Sequence, residues 1–251
     1  MKRIAHSIVW LSLLIALPAH AAGVALRWGA CDGTANRNFA CDRSTGSEML
    51  VASFEAPSGV TRLSGMDIYL RISSANGTAP SWWQMVEAGT CRRTSITCSI
   101  DLSDQTACED VWNGQGAGGI GRFLSGPNGI DFQMAYALPV QNLQTLSPGQ
   151  VYGAFKLLVN HQRTTGAGAC GGCDTPVCIR LEMIRLEQPN PTEPPMGTPD
   201  YQPIYNELNT SIAGMSGLAQ VATWQGGTPD CAAGLAKPST WAELKNRFKS
   251  H

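Results

Sequence analysis

The chain has 251 residues, a formal net charge of −1, 15% charged residues, 27 glycines, 15 prolines and nine cysteines. That length accommodates one large β domain, or one domain with a small appendage, and is ample to bury a core. Charged residues fall well short of the roughly 25% of an average soluble domain, and no basic block stands out, which argues against nucleic acid and anionic membrane surfaces as partners.

The first 21 residues read as a secretory signal peptide: Lys2 and Arg3 open it, residues 8–17 are apolar, and Ala19-His20-Ala21 is a small-residue cleavage site. Removing Lys2 and Arg3 leaves 16 Lys and Arg against 19 Asp and Glu, a net charge of about −3 for residues 22–251. No later apolar run approaches the ~20 residues that span a bilayer. The expectation is therefore a secreted protein, extracellular or periplasmic, without a transmembrane anchor after signal cleavage. In an oxidising compartment the cysteines become disulfide candidates rather than thiols or zinc ligands.

Along the chain, weak strand signals at 24–28 and 81–85 accompany clear period-two alternation elsewhere. Leu50, Ala52 and Phe54 share a face, as do Met66, Ile68, Leu70 and Ile72. The same holds for Ile96, Cys98, Ile100 and Leu102, and for Ile130, Phe132, Met134, Tyr136 and Leu138. Residues 151–160 continue the pattern through Val151, Phe155, Leu157 and Val159. In 177–186 the apolar set runs Val177, Ile179, Leu181, Met183 and then slips to Ile184 and Leu186, which indicates a β-bulge or burial of both faces. About eight strands with one buried and one wet face predict an all-β antiparallel sandwich, jelly-roll-like, over 22–187.

A Pro-rich linker follows over 188–203, an extended and semi-stiff segment. The tail, 204–251, is too small for a good core of its own and is expected to dock on the sandwich. Thr240 and Glu243 form a capping box that opens a short helix over 240–249, with Trp241, Leu244 and Phe248 on one face.

Eight of the nine cysteines are disulfide candidates: Cys31, Cys41, Cys91, Cys108, Cys170, Cys173, Cys178 and Cys231. Cys98, on the inward face of its strand, is the candidate free thiol. The simplest pairing closes Cys31 to Cys41, joins Cys91 to Cys108, and staples the tail through Cys231 to one of Cys170, Cys173 and Cys178.

Cys170-Gly-Gly-Cys173 has CxxC spacing, with His161 and Cys178 as further zinc ligands, but its glycines favour a loop of structural disulfides. Gly116 to Gly121 fits GxGxxG without the strand–turn–helix context of a dinucleotide site, which leaves a turning loop. Trp82 and Trp83 are adjacent, so one of them would point outward from a strand and could stack on a sugar ring. Trp112 and Tyr69 could extend that ligand-binding site. No nucleophile–His–acid arrangement assembles around His161. Asp101, Asp104, Glu109, Asp110 and Asp131 nominate no carboxylate pair for glycoside hydrolysis. Asp32, Asp42, Asp101, Asp104 and Asp131 could feed a structural Ca²⁺ site, although the ladder of an EF-hand is missing. No cofactor and no catalytic residue is expected.

The segment from Gly23 to Cys41, Pro80-Ser-Trp-Trp83, Gly89-Thr-Cys-Arg92, Gly118-Gly-Ile-Gly121, Asn160-His161, Cys170-Gly-Gly-Cys-x-x-Pro-Val-Cys178 and Thr223-Trp-Gln-Gly-Gly227 together resemble a family of uncharacterised exported bacterial proteins. The similarity spans most of residues 22–251. It implies export and a β-sandwich, and it brings no function and no catalytic residue with it. A cysteine matching Cys98 is missing from its members, which agrees with the choice of free thiol.

These readings predict an exported, non-enzymatic β-sandwich that binds an extracellular glycan or surface protein, or builds the cell surface, with loops 108–129 and 161–178 carrying the contacts. The alternatives are a secreted polysaccharide-acting hydrolase or carbohydrate-binding module, and a tail helix that recruits a partner through Trp241, Leu244 and Phe248.

Overall fold

The computed structural model describes residues 23–74, 79–85, 88–126, 129–189, 210–213 and 220–226. The signal peptide, most of the linker, Cys231 and the 240–249 helix lie outside the described residues. Twelve strands are formed among the described residues: β1 Val24–Trp28, β2 Asn36–Arg37, β3 Ser47–Glu55, β4 Gly65–Ser74, β5 Ile96–Ser99, β6 Glu109–Asp110, β7 Ala117–Gly126, β8 Gly129–Ala137, β9 Val151–Asn160, β10 Val177–Glu187, β11 Thr210–Ala213 and β12 Val221–Trp224.

They build the all-β sandwich that the alternation predicts. One sheet runs β1-β3-β9-β5, with β6 also on β9; the other runs β2-β12-β10-β4-β8-β7, with β11 also on β10. Most pairs are antiparallel; β12/β2 and β6/β9 are short parallel contacts. The inward faces meet in one core, where Leu26, Leu50, Phe155 and Leu157 from the first sheet meet Ile68, Leu70, Phe132 and Ile179 from the second. Each of these occupies the buried position of a period-two pattern, which is why the longest strands were recognisable in sequence. The slip at Leu181–Met183 is a bulge against β4, and β10 is buried on both faces for most of its length.

Several local expectations are corrected. Residues 81–83 form a 3-10 turn after Pro80 rather than a strand, and both Trp82 and Trp83 are fully buried. The 94–102 strand contracts to Ile96–Ser99, because Thr94 sits in the left-handed region at φ 71° and a turn begins after Asp101. The GxGxxG segment belongs to β7, which pairs with β8 through a register shift between Ile120 and Arg122, and residues 123–126 continue that strand. The tail adds β11 and β12 to β10, and Trp224 lies fully buried in the core.

The disulfide pairing also differs from the sequence expectation. The bonds are Cys31–Cys108, Cys41–Cys173 and Cys91–Cys170, and they span 77, 132 and 79 residues. β5 lies between Cys91 and Cys108 and carries them apart. The segment that holds Cys91 instead lies on the 161–176 loop, where the Trp82 amide donates to the Gly171 carbonyl and Arg163 donates to the Cys91 carbonyl. Cys31 follows β1 and reaches across to Cys108 rather than back along its own loop. Cys178 is also disulfide-bonded, and Cys98 is a free thiol.

Candidate functional site

The aromatic residues nominated as a ligand platform form an internal pillar instead. Trp82, Trp83 and Trp112 are each 0% exposed, so none offers a face to a sugar. Trp82, Trp83 and Trp224 are mutually in contact, with centroids 5.0–5.4 Å apart. Trp112 donates its indole N–H to the Ala154 carbonyl on the other side of the core. Arg92, 1% exposed, stacks over Trp82 at 3.4 Å and donates to the carbonyls of Trp82, Asn160 and Gln162. Burial lowers the Arg92 pKa, while the three carbonyls and the indole face favour its charge.

His161 is also sealed in this pillar. Its Nε2 lies 3.0 Å from Glu48 Oε1, and its ring touches Trp82 and Trp224. With Cys170 and Cys173 consumed in disulfides, the zinc and redox readings of the CxxC segment lose their thiolates.

The acids picked out in the sequence are dispersed by the fold. Asp104 pairs with Lys156 at 2.8 Å, and that hydrogen bond is the main reason its pKa is lowered. Asp101 accepts from the Ser103 hydroxyl and amide, which lowers its pKa. Asp110 accepts from the amides of Trp112 and Gly114 and shapes a turn. Asp131 pairs with Arg71 at 3.2 Å on the outer face of the second sheet. Asp32 and Asp42 are exposed loop residues. Among the described residues no three His, Cys, Asp or Glu side chains gather as a metal site.

A concave site does exist elsewhere, on the outer face of the seven-stranded sheet. Because Met66 and Ile68 point into the core, Gly65 and Asp67 face outward. The strand registers extend these positions into rows that cross four strands. One row is Glu187–Gly65–Ala137–Ala117, and the next is Arg185–Asp67–Ala135–Gly119. A third, Met183–Tyr69–Gln133–Arg122, forms the shoulder. The first two rows hold a cleft of about 390 Å³ whose lining includes Asp67, Arg185 and Glu187 on one side and Ala117, Ala135 and Ala137 on the other.

The two sides differ in chemistry. On the β10/β4 side Arg185 lies between two carboxylates, 3.9 Å from Asp67 and 3.0 Å from Glu187. Burial raises the Asp67 pKa, and Arg185 opposes that rise. Tyr69, under the shoulder, is raised by burial and then by the Asp67 charge. On the β8/β7 side the described floor includes Ala117, Ala135 and Ala137. There Gly118 must be glycine, since its φ is +152° and a Cβ would lie 2.1 Å from the Ala135 carbonyl oxygen. Gly119 has no such requirement: a Cβ there would meet nothing within 4 Å. A glycine inside a strand often marks a bulge or a close approach of another chain or ligand, and a register shift follows Gly119 here, between Ile120 and Arg122.

Nothing in the sequence reading nominated Asp67, Arg185 or Glu187. The available signal was their spacing: Asp67, Tyr69 and Arg71 on one strand, and Arg185 and Glu187 on another, each occupy the outward positions between buried aliphatics. Among the described residues no helix is long and apolar enough to cross a membrane. No protein-family model and no curated protein matches this chain.

Proposed function

We propose that this is an exported, disulfide-braced, non-enzymatic β-sandwich that binds an extracellular or cell-surface ligand through the cleft on the outer face of its seven-stranded sheet. The signal-like N-terminus supports export, and the three long-range disulfides fit an oxidising compartment. The observation that carries the binding reading is the cleft itself: a concavity with a charged wall at Asp67, Arg185 and Glu187 and an apolar floor at Ala117, Ala135 and Ala137.

The test compares wild type with Ala135→Leu, which places a larger side chain on an exposed floor position. Both purified proteins are incubated with isolated cell envelopes and with secreted polymer. Ala135→Leu should keep the wild-type melting temperature and lose binding. Equal binding by the two proteins would contradict the cleft as the ligand site.

One observation favours a second reading, hydrolysis. Asp67 and Glu187 are diagonal neighbours across β4 and β10, which brings two carboxylates to one face of the sheet, as a glycosidase requires. Against it stands Arg185, whose guanidinium lies between the two carboxylates and opposes the rise of the Asp67 pKa. Release of reducing ends from polysaccharide that is abolished by Asp67→Asn would support hydrolysis over binding.

A further inference from the structure

We infer that the ligand of this cleft is an uncharged saccharide chain, one ring of which lies flat on the Ala117–Ala135–Ala137 floor with its hydroxyls turned to Asp67. This rests on the binding reading above and adds the chemical class of the ligand.

Three features of the site lead there. A pyranose ring has a flat face of C–H groups and an equatorial rim of hydroxyls, so it needs an apolar, unobstructed floor beside a polar wall. The floor here includes the methyls of Ala135, Ala137 and Ala117, the last two paired directly across β8 and β7. The wall is Asp67, held 3.9 Å from the Arg185 guanidinium and set one row from Glu187. A carboxylate is an acceptor only, with capacity for several hydroxyl donors, and its half-buried position beside Arg185 restrains it before the ligand arrives.

The charge balance selects against anions. Among the described residues two carboxylates and one guanidinium form the wall, so a uronate or sulfate ester would bring a third negative group into a partly desolvated site.

The experiment is isothermal titration of the 22–251 protein with defined hexasaccharides. These are uncharged gluco-, manno- and galacto-configured chains, a hexagalacturonate, and a fully deacetylated glucosamine hexamer. Wild type, Ala135→Leu and Ala137→Leu are each titrated after thermal melts show that they are folded. The inference expects at least one uncharged chain to bind. It expects each variant to weaken that binding by roughly tenfold or more, and the hexagalacturonate to bind more weakly than the best uncharged chain. It is overturned if the uronate or the amine chain binds best, if neither variant weakens binding, or if no uncharged chain binds. Envelope binding that stays sensitive to Ala135→Leu, with no saccharide bound, would sink the saccharide inference and leave the cleft standing. Insensitivity in both assays would sink the cleft.

Discussion

The Arg92 guanidinium lies 3.4 Å from the centroid of the Trp82 ring and donates at 2.7 Å to the carbonyl of that same tryptophan. A residue with no exposed partner thereby ties the 79–95 segment to the 160–162 corner of β9 through the carbonyls of Asn160 and Gln162. The Cys91–Cys170 bond closes the same two segments one residue away. This end of the sandwich is an internal brace, and the proposed ligand cleft lies away from it, on the outer face of the seven-stranded sheet.

Replacing Arg92 tests the brace. Arg92→Met leaves three carbonyls without their donor and should cost about 3 kcal/mol. Arg92→Lys should recover only part of that, because a compact ammonium cannot stack on the indole and reach all three acceptors. Urea denaturation of the two variants provides the comparison.

The tryptophans should behave as core residues. Trp82→Ala and Trp83→Ala each remove a fully buried side chain and should cost about 3–5 kcal/mol. Trp112→Ala should do the same on the other side of the core. Circular dichroism melts would show large losses, and any of the three that melted like wild type would contradict this placement.

The disulfides should be separable by effect. Cys41–Cys173 closes 132 residues, which in the chain-entropy view contributes about 4–5 kcal/mol. Removing both cysteines by Cys41→Ser and Cys173→Ser should lower the melting temperature more than Cys98→Ala does. Alkylation of the unreduced, denatured protein followed by peptide mapping should label Cys98 and recover the three cross-linked pairs intact.

Much of the architecture was readable because β4 and β8 bury mainly one face, and that alternation is written directly in residue order, while β3, β9 and β10 carry it within longer buried runs. β7 escaped because it is an edge strand in which glycines replace the apolar positions, so its pairing with β8 has no local signature. β11 and β12 are four residues each, too short for periodicity to speak. The disulfides escaped because cysteine spacing along the chain says little about distance in the fold: Cys31 passes over Cys41 to reach a partner 77 residues away. The cleft was hidden for a related reason. Its rows run across strands, so Asp67, Ala135, Arg185 and Gly119 become neighbours only when the register is known.

Alkaline pH should weaken the fold. Burial pushes the Cys98 thiol up to about 12, and it also raises Tyr136, with Cys98 adding to that rise. A thiol held neutral in the fold stabilises fully below its unfolded value, roughly 8.5, and that contribution is lost as pH rises toward the folded value. Unfolding free energy should therefore fall between about pH 9 and 12. The fall should be shallower in Cys98→Ala and should persist in part through the tyrosines, as urea titrations at a series of pH values would show.

Asp67 should reveal a cost borne for binding. Its pKa is raised by burial despite Arg185, so near neutral pH its ionised form stabilises the fold less than it would if exposed. Below the ordinary carboxylate range this penalty vanishes, and it grows as pH rises through the folded value. Asp67→Asn should thus be at least as stable as wild type at neutral pH while binding ligand more weakly, as thermal melts paired with titrations would show.

The most direct measurement is the backbone amide spectrum of the 22–251 protein, followed as the best-binding uncharged hexasaccharide is added. The cleft account predicts that the largest shifts cluster at residues 65–67, 117–119, 135–137 and 185–187. Shifts centred on 82–83, 91–92 and 161–164 instead would place the ligand at the disulfide-braced end and contradict the account.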